Sequence, residues 1–138
     1  MKRVVISGYF DPIHVGHLEY MKFAKELAGE DGKLIVILNN DRQAIKKNKK
    51  VFMPLEERRK IIEAIRYVDE VYVSIDEDGT ICKSLEVINP DIFGNGGDRG
   101  DGIPAENEVC ERLNIEMVYN LGKKIQSSSI LKANWEKK

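Results

Sequence analysis

The only two histidines of this 138-residue chain, His14 and His17, fall three positions apart in Gly8-Tyr9-Phe10-Asp11-Pro12-Ile13-His14-Val15-Gly16-His17. If a helix starts there, that spacing turns both imidazoles to one side. A helix start also presents unpaired N–H groups and the positive end of the backbone dipole, so an anion held there meets backbone and imidazole donors together. Gly16 leaves room for close approach. Asp11 either orients the turn, holds an ion through water, or caps the loop. An isolated histidine pair more often caps a helix and packs against the core. Here the pair falls at the first strand-to-helix turn of an alternating α/β pattern, where such folds bind ligands.

Three further stretches carry groups suited to phosphates. Lys46-Lys47-Asn48-Lys49-Lys50 is the one charge run of the chain. Alone it describes a solvated loop, but it falls between a strand end and a helix. Ser127-Ser128-Ser129 opens the last helical segment, where hydroxyls cap backbone N–H groups or hold phosphate oxygens. Between Gly94 and Gly102, five of nine residues are glycine, with Asp98, Arg99 and Asp101 among them. That composition is costly in chain entropy unless backbone approaches a ligand or another turn. Asp98 and Arg99 are expected at the base or acceptor end of a pocket, with Glu106 nearby.

The elements that position these groups follow from periodicity. Apolar runs at 3–7, 34–38, 70–74, 91–93 and 115–119 predict five strands, and helical spacing predicts helices over 15–27, 55–65, 81–87, 104–113 and 127–134. Pro54 suits the start of the second helix. The alternation predicts an α/β fold: a single Rossmann-like, doubly wound domain spanning 1–138 with a five-stranded parallel sheet.

Bulk properties narrow the function. Lys plus Arg number 22 against 23 Asp plus Glu, and 42% of residues are apolar. Nothing in that balance calls for nucleic acid or a membrane surface, so phosphate binding has to be local. Cys82 and Cys110 lack metal-ligand spacing, and no protein-held metal site is expected. With neither a signal-like segment nor a long apolar span, a cytoplasmic protein is expected.

The Gly-x-Phe-Asp…His-x-Gly-His turn resembles the signature of the cytidylyltransferase-like nucleotidyltransferases. The resemblance extends to Lys47 and Lys49, to Arg58 in Glu56-Glu57-Arg58-Arg59-Lys60, and to Arg66-Tyr67-Val68-Asp69-Glu70-Val71, which is similar to a segment of glycerol-3-phosphate cytidylyltransferases. Ile125-Gln126-Ser127-Ser128-Ser129-Ile130 is similar to the family's hydroxyl-rich last motif. Asn95-Gly96-Gly97-Asp98-Arg99 looks like the Gly-Gly-Asp segment of heptose-1-phosphate nucleotidyltransferases instead. Tyr9 stands where the family usually has Thr or Ser, and Lys123 or Lys124 stands in for an arginine before the last motif.

The resemblance implies transfer of CMP from CTP to a phosphorylated alcohol or sugar, with release of pyrophosphate. Adenylyl transfer from ATP to a sugar phosphate such as heptose 1-phosphate is the alternative, and a non-catalytic nucleotide sensor is a third. It assigns His14, His17, Lys47 and Arg66 to catalysis, and Gly8, Tyr9, Phe10, Asp11, Gly16, Gly97, Asp98, Ser127, Ser128 and Ser129 to the nucleotide. Lys49, Arg58 and Arg99 go to the acceptor. Mg²⁺ is expected to arrive with the triphosphate, and the enzyme is expected to be a homodimer. An acceptor phosphate is already anionic, so no general base is needed. Positioning and cationic donors then dominate catalysis.

Overall fold

The computed structural model describes residues 2–46, 50–96 and 103–121. Its strands are β1 (Arg3–Gly8), β2 (Lys33–Leu38), β3 (Glu70–Val73), β4 (Ile92–Gly96) and β5 (Glu116–Leu121). Its helices are α1 (Val15–Ala28), α2 (Asp41–Lys46), α3 (Leu55–Glu63), α4 (Cys82–Ile88) and α5 (Pro104–Arg112). All strand pairs are parallel, as the sequence pattern predicts, and the strand order is β3-β2-β1-β4-β5.

Alternation along the strands builds two cores. Val4 and Ile6 of β1, with Leu34, Val36 and Leu38 of β2, pack under Met21 and Ala24 of α1 and Ile62 of α3. Val5, Ile35, Ile37 and Phe93 face the other way, under Leu85 of α4 and Val109 of α5. Burial on both faces is why β1 and β2 read as continuous apolar runs. Each such side chain contributes about 1.5–3 kcal/mol by leaving water. Gly29 ends α1 at φ 78, a conformation that favours glycine.

The start of β3 is pinned by Asp69, whose Oδ2 accepts from Leu34 N at 2.8 Å and Lys25 Nζ at 2.6 Å. Burial raises the pKa of this carboxyl, but the Lys25 and Leu34 hydrogen bonds and the ammonium charge outweigh it. The net shift is downward.

The sheet differs from expectation mainly by an addition. α2 occupies a stretch that reads as polar loop, and its six residues are too few for a periodic signal. The helix expected over 127–134 lies outside the described residues. The winding reverses beside β1, so ligands are expected outside the carboxyl ends of β1 and β4. Among the described residues, no helix is long and apolar enough to cross a membrane.

Candidate nucleotide site

β1 runs into the histidine turn at its carboxyl end. Phe10 takes φ 51, and its ring folds back over Gly8. A Cβ at Gly8 would lie 3.0 Å from Phe10 Cζ, so a larger residue there would push the ring off the turn. The Phe10 ring then meets His17 edge-on, with centroids 4.8 Å apart.

His14 is the N-cap of α1, and Gly16 N donates to its Nδ1 at 3.1 Å. His17 reaches back in turn, its Nδ1 accepting from His14 N at 3.1 Å. The two rings stack with centroids 3.7 Å apart and planes 21° off parallel. A nitrogen that accepts carries no proton, so each neutral ring keeps its proton on Nε2. Capping and phosphate binding therefore do not compete. Nδ1 closes the helix start, and Nε2–H is the donating nitrogen. No acidic residue occupies the first turn of α1, so nothing on that turn offsets the positive helix end.

Behind the turn, side chains tie its backbone to other elements. Arg58 is 2% exposed, and its Nη1 donates to Tyr9 O at 2.7 Å and Asn39 O at 2.9 Å. Its Nε donates to Met53 O at 2.9 Å, and its Nη2 pairs with Asp41. Asp11 accepts from Phe52 N at 2.8 Å and Met53 N at 2.6 Å. On the far side of α2, buried Gln43 accepts from Asn39 Nδ2 and Asn40 N, each at 3.1 Å. The Gln43 Nε2 donates to Asp78 O and Thr80 O at 2.8 and 2.9 Å.

The structure thus gathers Gly8, Tyr9, Phe10, Asp11, His14, Gly16 and His17 at one turn. Lys47, Lys49, Gly97, Asp98, Arg99, Ser127, Ser128 and Ser129 lie outside the described residues. Two expectations need correction. Arg58 does not project toward an acceptor, because it is buried and its donors are directed to the protein. Arg66 is exposed in the turn between α3 and β3, at the amino end of the sheet. The nine residues of α3, about 13 Å of helix, separate it from the site end. Its segment instead supplies Asp69, the pin of β3. Both Asp11 oxygens accept backbone N–H groups of Phe52 and Met53, which ties the turn to that segment.

Gln43 and the Asn39–Asn40 pair were not legible as site residues. Their partners lie up to 37 positions away and are mostly backbone atoms, which leave no sequence signal. Glu106 has a bracing role too: it is buried, and its Oε2 accepts from Ile81 N at the start of α4. The two thiols are free. Burial pushes Cys110 up to about 11 and raises Cys82 as well, so neither is a nucleophile near neutrality. Among the described residues, no group of three or more His, Cys, Asp or Glu is placed to hold a metal ion.

A parallel doubly wound sheet whose helix-capping histidine turn lies at its switch point is the frame of an α/β ligand-binding fold. The chain belongs to the cytidylyltransferase-like family, whose model matches residues 5–133, and is thereby a member of a nucleotidyltransferase family. It is 44% identical over 129 residues to the FAD synthase of Pyrococcus abyssi, covering 90% of this chain and 76% of that one. It is 39% identical over 116 residues to the FAD synthase of Methanobrevibacter smithii, covering 84% and 75% respectively. Among solved structures, the lipopolysaccharide core biosynthesis protein from Thermoplasma volcanium superimposes with a TM-score of 0.74 at 27% identity. That match covers 89% of this chain and 98% of the other.

Proposed function

We propose that this protein transfers the adenylyl group of ATP to FMN, forming FAD and pyrophosphate. The observation that carries the proposal is the 39–44% identity, over most of the chain, to proteins named FAD synthase. The cytidylyl donor drew its support from the similarity around Lys47 and from the segment containing Arg66, and the latter lies at the amino end of the sheet. ATP is therefore placed ahead of CTP. FMN fits the expected acceptor class, a phosphorylated small molecule whose oxygen is anionic without help from a base.

In the step, an FMN phosphate oxygen bonds to the α-phosphorus and the bond from that phosphorus to the β-bridging oxygen breaks. The electron pair leaves on pyrophosphate. The His14 and His17 Nε2–H groups donate to the α- and β-phosphoryl oxygens, where negative charge develops. Lys47 bridges the acceptor phosphate and the α-phosphate, and Ser127, Ser128 and Ser129 hold the β- and γ-phosphates. Gly97 and Asp98 face the nucleoside, Lys49 and Arg99 the acceptor. Mg²⁺ enters as part of the substrate, on the triphosphate. The active form is a homodimer in the cytoplasm.

A second reading, transfer to a sugar phosphate, is favoured by Gly96-Gly97-Asp98 and by the likeness to the lipopolysaccharide core biosynthesis protein of Thermoplasma volcanium. Pyrophosphate release from ATP and CTP, each with FMN or heptose 1-phosphate, separates the possibilities. FAD formed from ATP and FMN is expected. Release with CTP alone, or with the sugar phosphate alone, overturns the proposal.

A further inference from the structure

β4 carries near its carboxyl end a polar residue that strand packing does not explain. Asn95 is 1% exposed, and among the described residues nothing bonds to its Oδ1 or its Nδ2. Most buried polar side-chain atoms have a partner, because an amide taken out of water gives up hydrogen bonds that an apolar side chain never had. A leucine or valine would fill a buried strand position without that cost. An asparagine with both ends of its amide unbonded thus stands there against stability, as a group does when it serves a ligand.

The surroundings put that amide at the ligand end of the sheet. Asn95 is one residue from the carboxyl end of β4, the strand beside β1 where the winding reverses. β4 and β5 pair in step as far as Gly94 and Val118, and then the register shifts so that Gly96 meets Leu121. Asn95 stands in that irregularity, and such breaks in a ladder re-aim side chains beside functional sites. The residue before it is held in place. Gly94 O accepts from the Tyr20 hydroxyl at 2.7 Å, and a Cβ at Gly94 would lie 2.5 Å from Leu121 Cδ1. Tyr20 follows His17 by three positions on α1, so this strand end is tied to the helix that starts at the histidine pair.

A primary amide sets an acceptor beside a donor. It matches a planar ring edge that carries an amino group next to an unprotonated ring nitrogen. Adenine presents that edge through N6 and N7, and asparagine reads adenine in this way in nucleic acids. A phosphate oxygen only accepts and would leave Oδ1 unpaired.

We propose that Asn95 is a specificity residue for the donor nucleotide, its Oδ1 accepting from the adenine amino group of ATP and its Nδ2 donating to the adjacent ring nitrogen. The inference rests on the adenylyl-transfer reading and names the group that selects the base. Because the amide is held out of water, a base without the amino group leaves Oδ1 unpaired, and the discrimination comes from that penalty.

The test is a titration of the 138-residue chain with three ligands in turn: ATP, purine riboside triphosphate and FMN. The triphosphates are given with Mg²⁺, and the second differs from ATP only by lacking the amino group. Wild type and Asn95→Leu are compared, with thermal melting to confirm the fold. Wild type is expected to bind ATP at least about tenfold more tightly than the analogue. Asn95→Leu is expected to lose at least about tenfold in ATP affinity, to bind the two triphosphates within about twofold of each other, and to bind FMN as wild type does.

Equal affinity of wild type for ATP and the analogue overturns the proposal, and that comparison needs no variant to fold. A variant that weakens both triphosphates by the same factor marks a structural amide and overturns it too. So does one that weakens FMN alone, which moves the amide to the acceptor. FAD formation tells this failure from failure of the function. FAD formed by a protein that binds ATP and the analogue equally rejects Asn95 only. A preference for ATP that depends on Asn95, without FAD formation, supports Asn95 and counts against FMN as the acceptor.

Discussion

An imidazole has two nitrogens, and at His14 and His17 they serve different ends. Sequence reasoning set capping and phosphate binding against each other, whereas the stacked pair caps through Nδ1, and the proposed function gives phosphate binding to Nε2. The two roles are therefore separable by substitution. His14→Ala loses the cap, at a cost of about 1 kcal/mol, as well as the donor. His14→Asn restores a side-chain oxygen of the preferred capping type without placing a donor at Nε2. It should melt close to wild type yet turn over at least about a hundredfold more slowly. His17→Gln keeps the reach back to the N-cap in the manner of a capping box and should behave likewise. Melting curves beside pyrophosphate-release rates check this, and near-normal turnover in either variant rejects the assignment. Asp11 and Arg58 show the limit of legibility at this scale. Residue type marked both as important, but the contacts through which they tie the histidine turn to other segments are with backbone groups 41 to 49 positions away. No local spacing encodes those contacts.

The strands were legible because burial on both faces makes them uninterrupted apolar runs, and the longer helices because their apolar residues recur at helical spacing. α2 was not, because a single short helix held by one buried amide leaves no pattern. Arg66 was misplaced for a related reason: nearness to a strand in sequence does not say which end of the sheet a turn occupies. What that turn does instead is testable through Asp69. Because its folded pKa is lowered, the unfolded chain binds more protons. Its stabilising effect is present above the ordinary carboxylate range and is lost as pH falls through the folded value. Lys25 and Asp69 side chains are 28% and 35% exposed, so the ion pair is worth no more than about 1 kcal/mol. Asp69→Ala should lower the melting temperature by a few degrees near neutrality. The gap to wild type should narrow on acidification, and one that stays constant down to strongly acid pH removes the charge from the explanation. The lysine run gives a second test at this scale. A merely solvated segment makes single alanine substitutions interchangeable, since exposed charges are screened within about 8–10 Å at physiological salt. With Lys47 between two phosphates, Lys47→Ala should depress turnover far more than Lys46→Ala or Lys50→Ala, with Lys49→Ala intermediate. Lys47→Arg should not restore it, because a planar guanidinium does not replace a compact ammonium there. Equal small losses across the four alanine variants return the run to a solvated role.

With a formal net charge of −1, the molecule as a whole offers anions no general attraction, so the proposed phosphate chemistry has to come from local groups. Among the described residues, some large apolar side chains of α1 and α3 are exposed. Val15 and Leu18 stand one helical turn apart on α1, and Ile61 stands on α3, the helix that shares the same face of the sheet; all are exposed. A two-fold contact is self-complementary, so one such patch per protomer suffices. A stable pair needs roughly 800 Å² covered on each partner, more than these side chains supply alone, so neighbouring charged residues must take part. On α1, Glu19, Lys22 and Glu26 alternate in sign, which suits such a rim. The expected result is a dimer in sedimentation at micromolar concentration, changed little by moderate salt because its centre is apolar. Leu18→Glu combined with Ile61→Glu places a buried charge on each side of the axis and should yield monomers whose far-ultraviolet spectrum is unchanged. A wild-type monomer at that concentration rejects the homodimer, whereas a dimer that survives the double substitution moves the contact away from α1 and α3.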